Sequence, residues 1–157
     1  MKSRYDGSYY INLAIKHFQG RLQNKIDLPI YSVFVVNYDN KTHITFGQNL
    51  VYKNQDVSKH AEIVAIQKMS KKLNIINFNN IDATLYSTLE PCVMCAGFIS
   101  LAKIKKVVFG IRDEKFGFIN NINKNHHHKI YHFDYYYGFE ESKITNFMQS
   151  FFNDKRS

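Results

Sequence analysis

Hydrophobic and polar positions follow two periods along the chain, one typical of helices and one of strands. Apolar spacing and helix-start signals predict helices at 8–22, 60–73, 92–102 and 140–152. Runs of β-branched and aromatic residues predict strands at 31–36, 42–47, 83–87, 106–110 and 130–137. Ser8 can cap the first helix, and the polar segment 37–41 predicts a hairpin turn. Helices and strands alternate after that hairpin, so we expect a three-layer α/β/α sandwich around a mixed five-stranded sheet.

The composition is typical of one folded domain spanning residues 1–157. The chain is 45% hydrophobic and 15% aromatic, which is too apolar for a disordered protein. Its apolar runs are all shorter than the roughly 20 residues that a membrane helix needs. The N-terminal segment lacks the apolar core of a signal peptide. We therefore expect a cytoplasmic protein with no membrane segment.

The charge balance favours an anionic partner. Lys and Arg number 21 against 13 Asp and Glu, for a net charge of +8, and nucleic acid is the commonest partner of such a chain. The 17 Lys, 4 Arg and 16 Asn are also typical of an AT-rich genome, so the charge alone leaves this question open. If RNA is the partner, the basic residues should gather around the functional site.

The two cysteines, Cys92 and Cys95, lie within the sequence Pro-Cys-Val-Met-Cys. Three explanations are open at this point: buried inert thiols, a redox-active pair at a helix start, or a metal site. Residues three apart share a face of a helix, so both sulfurs can reach one ion. Zinc would need at least one further protein ligand. Of the seven histidines, the run 126–128 lies in a polar segment where solvated side chains are expected, whereas His60 opens a predicted helix.

His60 and the two cysteines together fit a known chemistry. One imidazole and two thiolates hold zinc and leave a fourth position open to water, whose pKa the ion lowers toward about 7. Glu62 follows His60 with one residue between them and can move protons beside the metal without binding it. Because residues two apart on a regular helix point to nearly opposite sides, His60 must sit at an irregular first turn. This pattern is the signature of zinc nucleobase deaminases.

Residues 59–117 resemble bacterial tRNA adenosine deaminases. The resemblance rests on four blocks, at 60–63, 82–86, 88–97 and 107–115. It implies a cytidine-deaminase-like fold, one zinc ion per chain, a homodimer, and conversion of adenosine to inosine at the wobble position of a tRNA anticodon loop. In that reaction Glu62 would take a proton from water and deliver it to the adenine ring. The target nucleotide would have to leave the RNA stack to reach the metal.

The same resemblance implies a set of substrate-binding residues. Asn49 would hydrogen-bond the nucleotide, although an Asn at this place is also typical of a turn. Ile30 and Leu89 would line an apolar pocket, or they belong to the core. Contacts with RNA would come from charged residues and a C-terminal aromatic pair, namely Arg112, Asp113, Lys115, Lys155, Arg156, Phe151 and Phe152. The two Phe residues could equally contribute to the core or to a dimer interface.

The chain departs from the family pattern around the metal core. Tyr31-Ser32 stand where the family has Gly-Ala, Phe116-Gly117-Phe118 stand where it has Thr-Gly-Ala, and 119–137 is hard to align. These changes spare the metal core and alter its surroundings, so they affect the identification of the substrate more than that of the reaction. Two other functions therefore stay open: a zinc deaminase of a free base or nucleotide, such as cytosine, guanine or cytidylate, and a non-catalytic RNA-binding protein that uses zinc only for folding. A redox protein would leave His60 and Glu62 without a role.

Overall fold

The computed structural model describes residues 2–19, 25–122 and 131–156, and this part of the chain forms five strands and six helices. The strands are β1 (Tyr31–Tyr38), β2 (Lys41–Gln48), β3 (Asp82–Leu89), β4 (Lys106–Ile111) and β5 (Asp134–Tyr137). The helices are α1 (Lys2–Gln19), α2 (Val51–Asn54), α3 (Ala61–Leu73), α4 (Val93–Leu101), α5 (Phe118–Asn121) and α6 (Glu141–Arg156). The histidines 126–128 lie outside the described residues. None of the described helices combines the length and the apolar character needed to cross a membrane.

The five strands join one mixed sheet in the order β2-β1-β3-β4-β5. β1 is antiparallel to both β2 and β3, whereas β3, β4 and β5 run parallel. The three central strands are largely buried and rich in β-branched and aromatic residues, as expected for strands covered by helices. β3 and β4 end side by side at Leu89 and Ile111, and the candidate site follows at this edge of the sheet.

Helices cover both faces of the sheet, and alternate residues of a strand point to opposite cores. Phe34 lies in one core with apolar side chains of α3 and α4, among them Ile66. Val33 lies in the other core with Ile15 of α1 and Ile144 of α6. The predicted three-layer α/β/α sandwich around a mixed five-stranded sheet is therefore confirmed.

The first helix begins earlier than the sequence pattern predicts. α1 starts at Lys2, so Ser8 lies inside the helix and its predicted role as a cap is wrong. The neighbouring Gly7 packs closely against the Phe139 ring, and this tertiary contact outweighs the weak helix preference of Gly and Ser. The predicted end of the helix, 20–22, lies outside the described residues.

Other element boundaries also differ from those predicted. β1 continues to Tyr38, because Asp39 and Asn40 alone make the hairpin turn, with φ values of 51° and 55°. Two-residue turns with positive φ match the twist of the paired strands. Within the described residues β5 starts at Asp134, and α6 continues to Arg156. The short helices α2 and α5 were not predicted, because four residues are too few to show a helical period.

β2 packs very closely against the start of α3. A Cβ atom at Gly47 would collide with the backbone of Ala61 and Ala65, so only glycine permits this approach. Thr45 adds a hydrogen bond, which its Oγ1 donates to the Ala65 carbonyl oxygen at 2.7 Å. Together these contacts fix the first turns of α3 against the end of the hairpin.

A buried glutamate holds the loop between β4 and α5. One carboxylate oxygen of Glu90 accepts hydrogen bonds from Arg112 Nε at 2.8 Å and from the Asp113 backbone N–H at 2.9 Å. The other accepts one from the Ile119 backbone N–H at 2.9 Å. The Glu90 side chain is fully buried, and a Cβ atom at Gly117 would collide with it. Glu90 therefore fixes both ends of this loop.

We predict that Glu90→Ala lowers the free energy of unfolding by about 2–4 kcal/mol, because three donors lose a buried, charged acceptor. Glu114→Ala is the matched control, since Glu114 lies in the same loop but is exposed, and we expect it to cost less than about 1 kcal/mol. Urea denaturation followed by circular dichroism measures both values. Equal losses in the two variants would contradict the role given to Glu90.

Candidate metal centre

The candidate ligands stand at the starts of two helices. His60 is the N-cap residue of α3, in an extended conformation with φ −70° and ψ 151°. Cys92 is the N-cap residue of α4, with φ −73° and ψ 173°, and Cys95 lies in the first turn of that helix. Because His60 precedes the helical residues, its side chain and that of Glu62 need not point in opposite directions. The predicted irregular position of His60 is confirmed.

Three side-chain atoms converge between these helix starts. The His60 Nδ1 atom lies 3.5 Å from Cys95 Sγ and 3.7 Å from Cys92 Sγ. The three atoms all lie within 4.8 Å of one another. A nitrogen and a sulfur on one tetrahedral zinc ion lie about 3.5 Å apart, given bond lengths of about 2.0 and 2.3 Å. Both cysteines are free thiols, so the group fits zinc and leaves one position for another ligand.

Hydrogen bonding and charge favour a thiolate at Cys92. Its contact with Cys95, and then its contact with His60, lower the pKa of Cys92 to about 4. The shared contact with Cys92, together with burial, raises the pKa of Cys95 well above its ordinary value. The pKa of His60 is raised, chiefly by its hydrogen bond with Cys92. The partial positive charge of the α4 N-terminus also favours an anionic sulfur, which is the form that binds metal.

Glu62 is buried beside the three candidate ligands. It lies in the first turn of α3, and only 4% of its surface is exposed. Burial raises the pKa of its carboxyl group to about 7, against the opposing effects of a backbone hydrogen bond and of His60. A carboxyl group with a pKa near the ambient pH can both accept and release a proton. The position of Glu62 therefore suits proton transfer beside a metal.

Backbone hydrogen bonds bring Asn49 close to the start of α3. The Leu50 N–H donates to the Lys59 carbonyl oxygen at 2.9 Å, and the Asn49 N–H donates to the Ile30 carbonyl oxygen at 3.1 Å. The Asn49 Oδ1 atom is buried and has no hydrogen-bond partner among the described residues. A buried acceptor without a partner is costly, so this atom is suited to bind a ligand.

A cavity of about 240 Å³ adjoins Asn49. Its wall also includes residues from the chain before β1, from the start of β1 and from α6, among them Pro29, Tyr31, Phe147, Phe151 and Lys155. None of the three candidate ligands lines it, so the cavity lies to one side of them. Tyr31 and Phe147 were not predicted as site residues, because large aromatic residues at these spacings also fit a core. Their rings in fact pack at 5.9 Å between centroids.

The apolar and aromatic residues of the predicted binding set differ in exposure. Ile30 and Leu89 are half-buried, as is Phe151, whereas Phe152 is exposed. Two exposed basic residues close α6, Lys155 and Arg156. The Lys155 Nζ atom lies 4.6 Å from the centre of the Phe151 ring. Contacts of these residues with a substrate stay predictions.

Two predicted RNA-binding residues have structural partners within the loop after β4. Arg112 forms an ion pair with the buried Glu90. Asp113 Oδ1 accepts hydrogen bonds from the backbone N–H groups of Lys115 at 3.1 Å and Phe116 at 3.0 Å. The side chain of Lys115 is exposed. Glu90 itself was missed, although a glutamate directly before Pro-Cys-Val-Met-Cys is a polar residue at the end of a buried strand and thus a signal that could have identified it.

Several basic residues lie away from the candidate ligands. Lys71 and Lys72 lie in the last turn of α3, at the end away from His60. Lys103 and Lys105 precede β4, whose far end leads into the site. These four side chains are exposed where elements end, which is the usual place for charged residues. These four lysines do not support the expectation that the basic residues gather around the site, which stays a prediction for the rest of the chain.

Comparison with known proteins places these features in a family. The family described as cytidine and deoxycytidylate deaminase zinc-binding region matches residues 5–111. The tRNA-specific adenosine deaminase of Haemophilus influenzae is 42% identical over 95 residues, which are 60% of this chain and 53% of that protein. The chain therefore spans about half the length of that relative.

Two solved structures are similar in fold. A tRNA:A34 deaminase, described in connection with A-to-I editing at the wobble position of transfer RNA, is 28% identical with a TM-score of 0.71, covering 91% of this chain and 99% of that one. A guanine deaminase from Nitrosomonas europaea is 18% identical with a TM-score of 0.68, covering 91% of this chain and 80% of that one. The second similarity shows the fold alone.

The family match covers more than half of the chain and includes His60, Glu62 and both cysteines. With the converging imidazole and thiols, it confirms the predicted zinc cofactor, and the solved structures confirm the predicted cytidine-deaminase-like fold. The chain belongs to the cytidine and deoxycytidylate deaminase family that carries this zinc-binding region.

Proposed function

We propose that this protein converts adenosine to inosine at the wobble position of tRNA by hydrolytic deamination. The observation that carries the chemistry is the group of His60, Cys92 and Cys95 with the buried Glu62 beside it. Similarity to proteins named as tRNA adenosine deaminases supports the substrate. A tRNA substrate would place the protein in the cytoplasm.

Glu62 is the residue that moves protons in the proposed reaction. His60, Cys92 and Cys95 would hold the zinc ion, which when bound makes water a stronger acid. Glu62 accepts a proton from the attacking water and delivers it to N1 of adenine, while the water oxygen forms a bond to C6. Glu62 then carries the second water proton to the exocyclic nitrogen as the C6–N bond breaks. Adenosine and water thus give inosine and ammonia.

Asn49 and its neighbours would bind the extruded nucleotide. A side-chain amide offers both a donor and an acceptor, which match adjacent groups on an adenine edge, and the buried Asn49 Oδ1 has no partner among the described residues. The half-buried Ile30 and Leu89 would supply apolar contact with the base. Bases of an RNA loop can leave their stack at moderate cost, which makes such a loop accessible to a buried site.

Two other functions are less well supported. A deaminase of a free base or nucleotide would use the same zinc chemistry, but the guanine deaminase structure shares only the fold at 18% identity. A zinc site used only for folding has four protein ligands, whereas the cluster among the described residues contains three. Such a protein would also leave Glu62 buried without a use.

We also propose that the protein forms a homodimer through α4. This helix exposes Val93, Met94 and Leu101, and Leu101 is 81% exposed. A Cβ atom at Gly97 would meet nothing within 4 Å, so another backbone could approach there. Contiguous exposed apolar residues are typical of an interface, and two-fold dimers are the commonest assembly.

We predict that Glu62→Gln lowers kcat by at least about 10²–10⁴-fold, because the amide cannot accept the proton from water. The zinc content should stay near one ion per chain, as measured by atomic emission spectroscopy of the purified protein. Glu141→Gln, at an exposed carboxylate in the first turn of α6, is the control and should be fully active. An active Glu62→Gln protein would rule out the proposed proton transfer.

The substrate is tested with unmodified arginine tRNA bearing an ACG anticodon. We expect the adenosine at position 34 to become inosine, which sequencing of the reverse transcript reads as G. Free cytosine and guanine, offered at the same concentration, should not release ammonia. Ammonia from a free base together with unchanged A34 would favour the alternative deaminase.

The dimer is tested by Leu101→Glu, which places a charge in the proposed interface. Light scattering coupled to size-exclusion chromatography should show a mass near two chains for the unchanged protein and near one chain for the variant. Ile76→Glu is the control, because Ile76 is 93% exposed but lies in the segment between α3 and β3. A monomeric unchanged protein would contradict the assembly.

A further inference from the structure

The loop between β4 and α5 presents an exposed aromatic ring beside the candidate metal centre. Phe116 is 60% exposed, whereas Phe118, two residues later, is fully buried in the core with α3 and α4. Phe116 also stands at a position where the chain departs from the family pattern. A mostly exposed phenyl ring contributes little to folding, which leaves it free to contact a ligand at the site.

The backbone of this loop is fixed on both sides of Phe116. Asp113 Oδ1 accepts a hydrogen bond from the Phe116 N–H at 3.0 Å, and the Asp113 carbonyl oxygen accepts one from the Gly117 N–H at 2.9 Å. The buried Glu90 carboxylate also accepts hydrogen bonds from the backbone N–H groups of Asp113 and Ile119. A fixed backbone limits the positions that the ring can reach, which reduces the entropy that binding would cost.

The same turn lies directly against a candidate zinc ligand. Gly117 forms an antiparallel bridge with Cys92, and the Phe118 N–H donates to the Pro91 carbonyl oxygen at 3.0 Å. Bridge partners have Cα atoms about 5 Å apart. Phe116 is therefore the residue directly before one that pairs with a candidate ligand, so its backbone lies close to the metal centre.

A lysine completes the chemistry of the exposed surface. The Lys115 Nζ atom lies 4.9 Å from the centre of the Phe116 ring, and Lys115 is itself exposed. An aromatic face next to an ammonium group is the combination that binds single-stranded nucleic acid, since the base stacks on the ring and the phosphate pairs with the cation. A free base has no second nucleotide to place there.

We propose that Phe116 and Lys115 form a platform for the nucleotide adjacent to the adenosine that is deaminated, with its base stacked on the Phe116 ring and its phosphate near Lys115. This inference rests on the proposed function, because it requires an RNA substrate. In this proposal Phe116 binds the RNA directly. Arg112, through Glu90, and Asp113, through its hydrogen bonds within the turn, hold the loop that carries Phe116.

The test compares three variants on an RNA stem-loop that carries the ACG anticodon. Phe116→Ala should raise KM about 10-fold, the effect of losing one base–aromatic stack, and leave kcat within about two-fold. Phe116→Tyr keeps the ring and should behave as the unchanged protein. Tyr136→Ala is the matched control, because Tyr136 is also exposed beside a lysine, with Lys106 Nζ 5.7 Å from its ring centre, but lies on β5.

A direct readout uses 2-aminopurine in place of each nucleotide next to the target adenosine. Stacking quenches its fluorescence, so binding of the unchanged protein and of Phe116→Tyr should quench one of the two positions, and Phe116→Ala should not. Equal KM and equal quenching in Phe116→Ala and the unchanged protein would overturn the platform alone. Failure of the unchanged protein to deaminate any RNA would overturn the proposed function, and the platform with it. Thermal unfolding of all variants within about 2 °C confirms that the fold is retained.

Discussion

The starts of α3 and α4 meet at one edge of the sheet, and the metal chemistry depends on this meeting. Each helix start carries partial positive charge and unpaired backbone N–H groups, which favour anionic groups nearby. His60 and Cys92 are both N-cap residues in extended conformation, so their side chains leave the helix axis and can converge. Glu62 occupies the first turn of α3, where a carboxylate is also favoured. The same local geometry at two helix starts thus brings together the candidate ligands and the carboxylate proposed to carry protons.

The loop between β4 and α5 borders the candidate metal centre, and the buried carboxylate of Glu90 holds this loop in place. Glu90 follows β3 and precedes Cys92 by only two positions, so the residue that anchors the neighbouring loop and the residue that offers a thiol belong to the same short segment. Any movement of that segment would shift both. The metal centre and the surface that borders it are therefore coupled through the backbone between Leu89 and Val93.

The sequence was sufficient for the elements that repeat a simple pattern and for groups with distinctive chemistry. The three layers and the mixed sheet could be predicted because apolar periodicity is a local signal. Cys92 and Cys95 could be predicted from their spacing, and His60 from its place at a helix start beside Glu62 and its match to the deaminase signature. Tertiary contacts decided what could not be predicted. Gly7 and Ser8 favour a helix terminus, yet both lie inside α1, where Gly7 packs against the Phe139 ring. Arg112 looks like a free cation in sequence, but its partner is a buried side chain 22 positions away.

Any side chain at Gly47 would collide with the backbone of α3. This collision determines which mutations of the protein are harmful. This glycine lies in an edge strand, and it is separated from the first candidate ligand by a loop and a short helix. Gly47 determines how closely the hairpin packs against the residues that follow His60. A substitution at Gly47 would therefore displace a candidate ligand although Gly47 itself does not contact the metal site. Harmful variants of this protein would thus include a position that neither its place on an edge strand nor its distance along the chain from the candidate ligands would mark as sensitive.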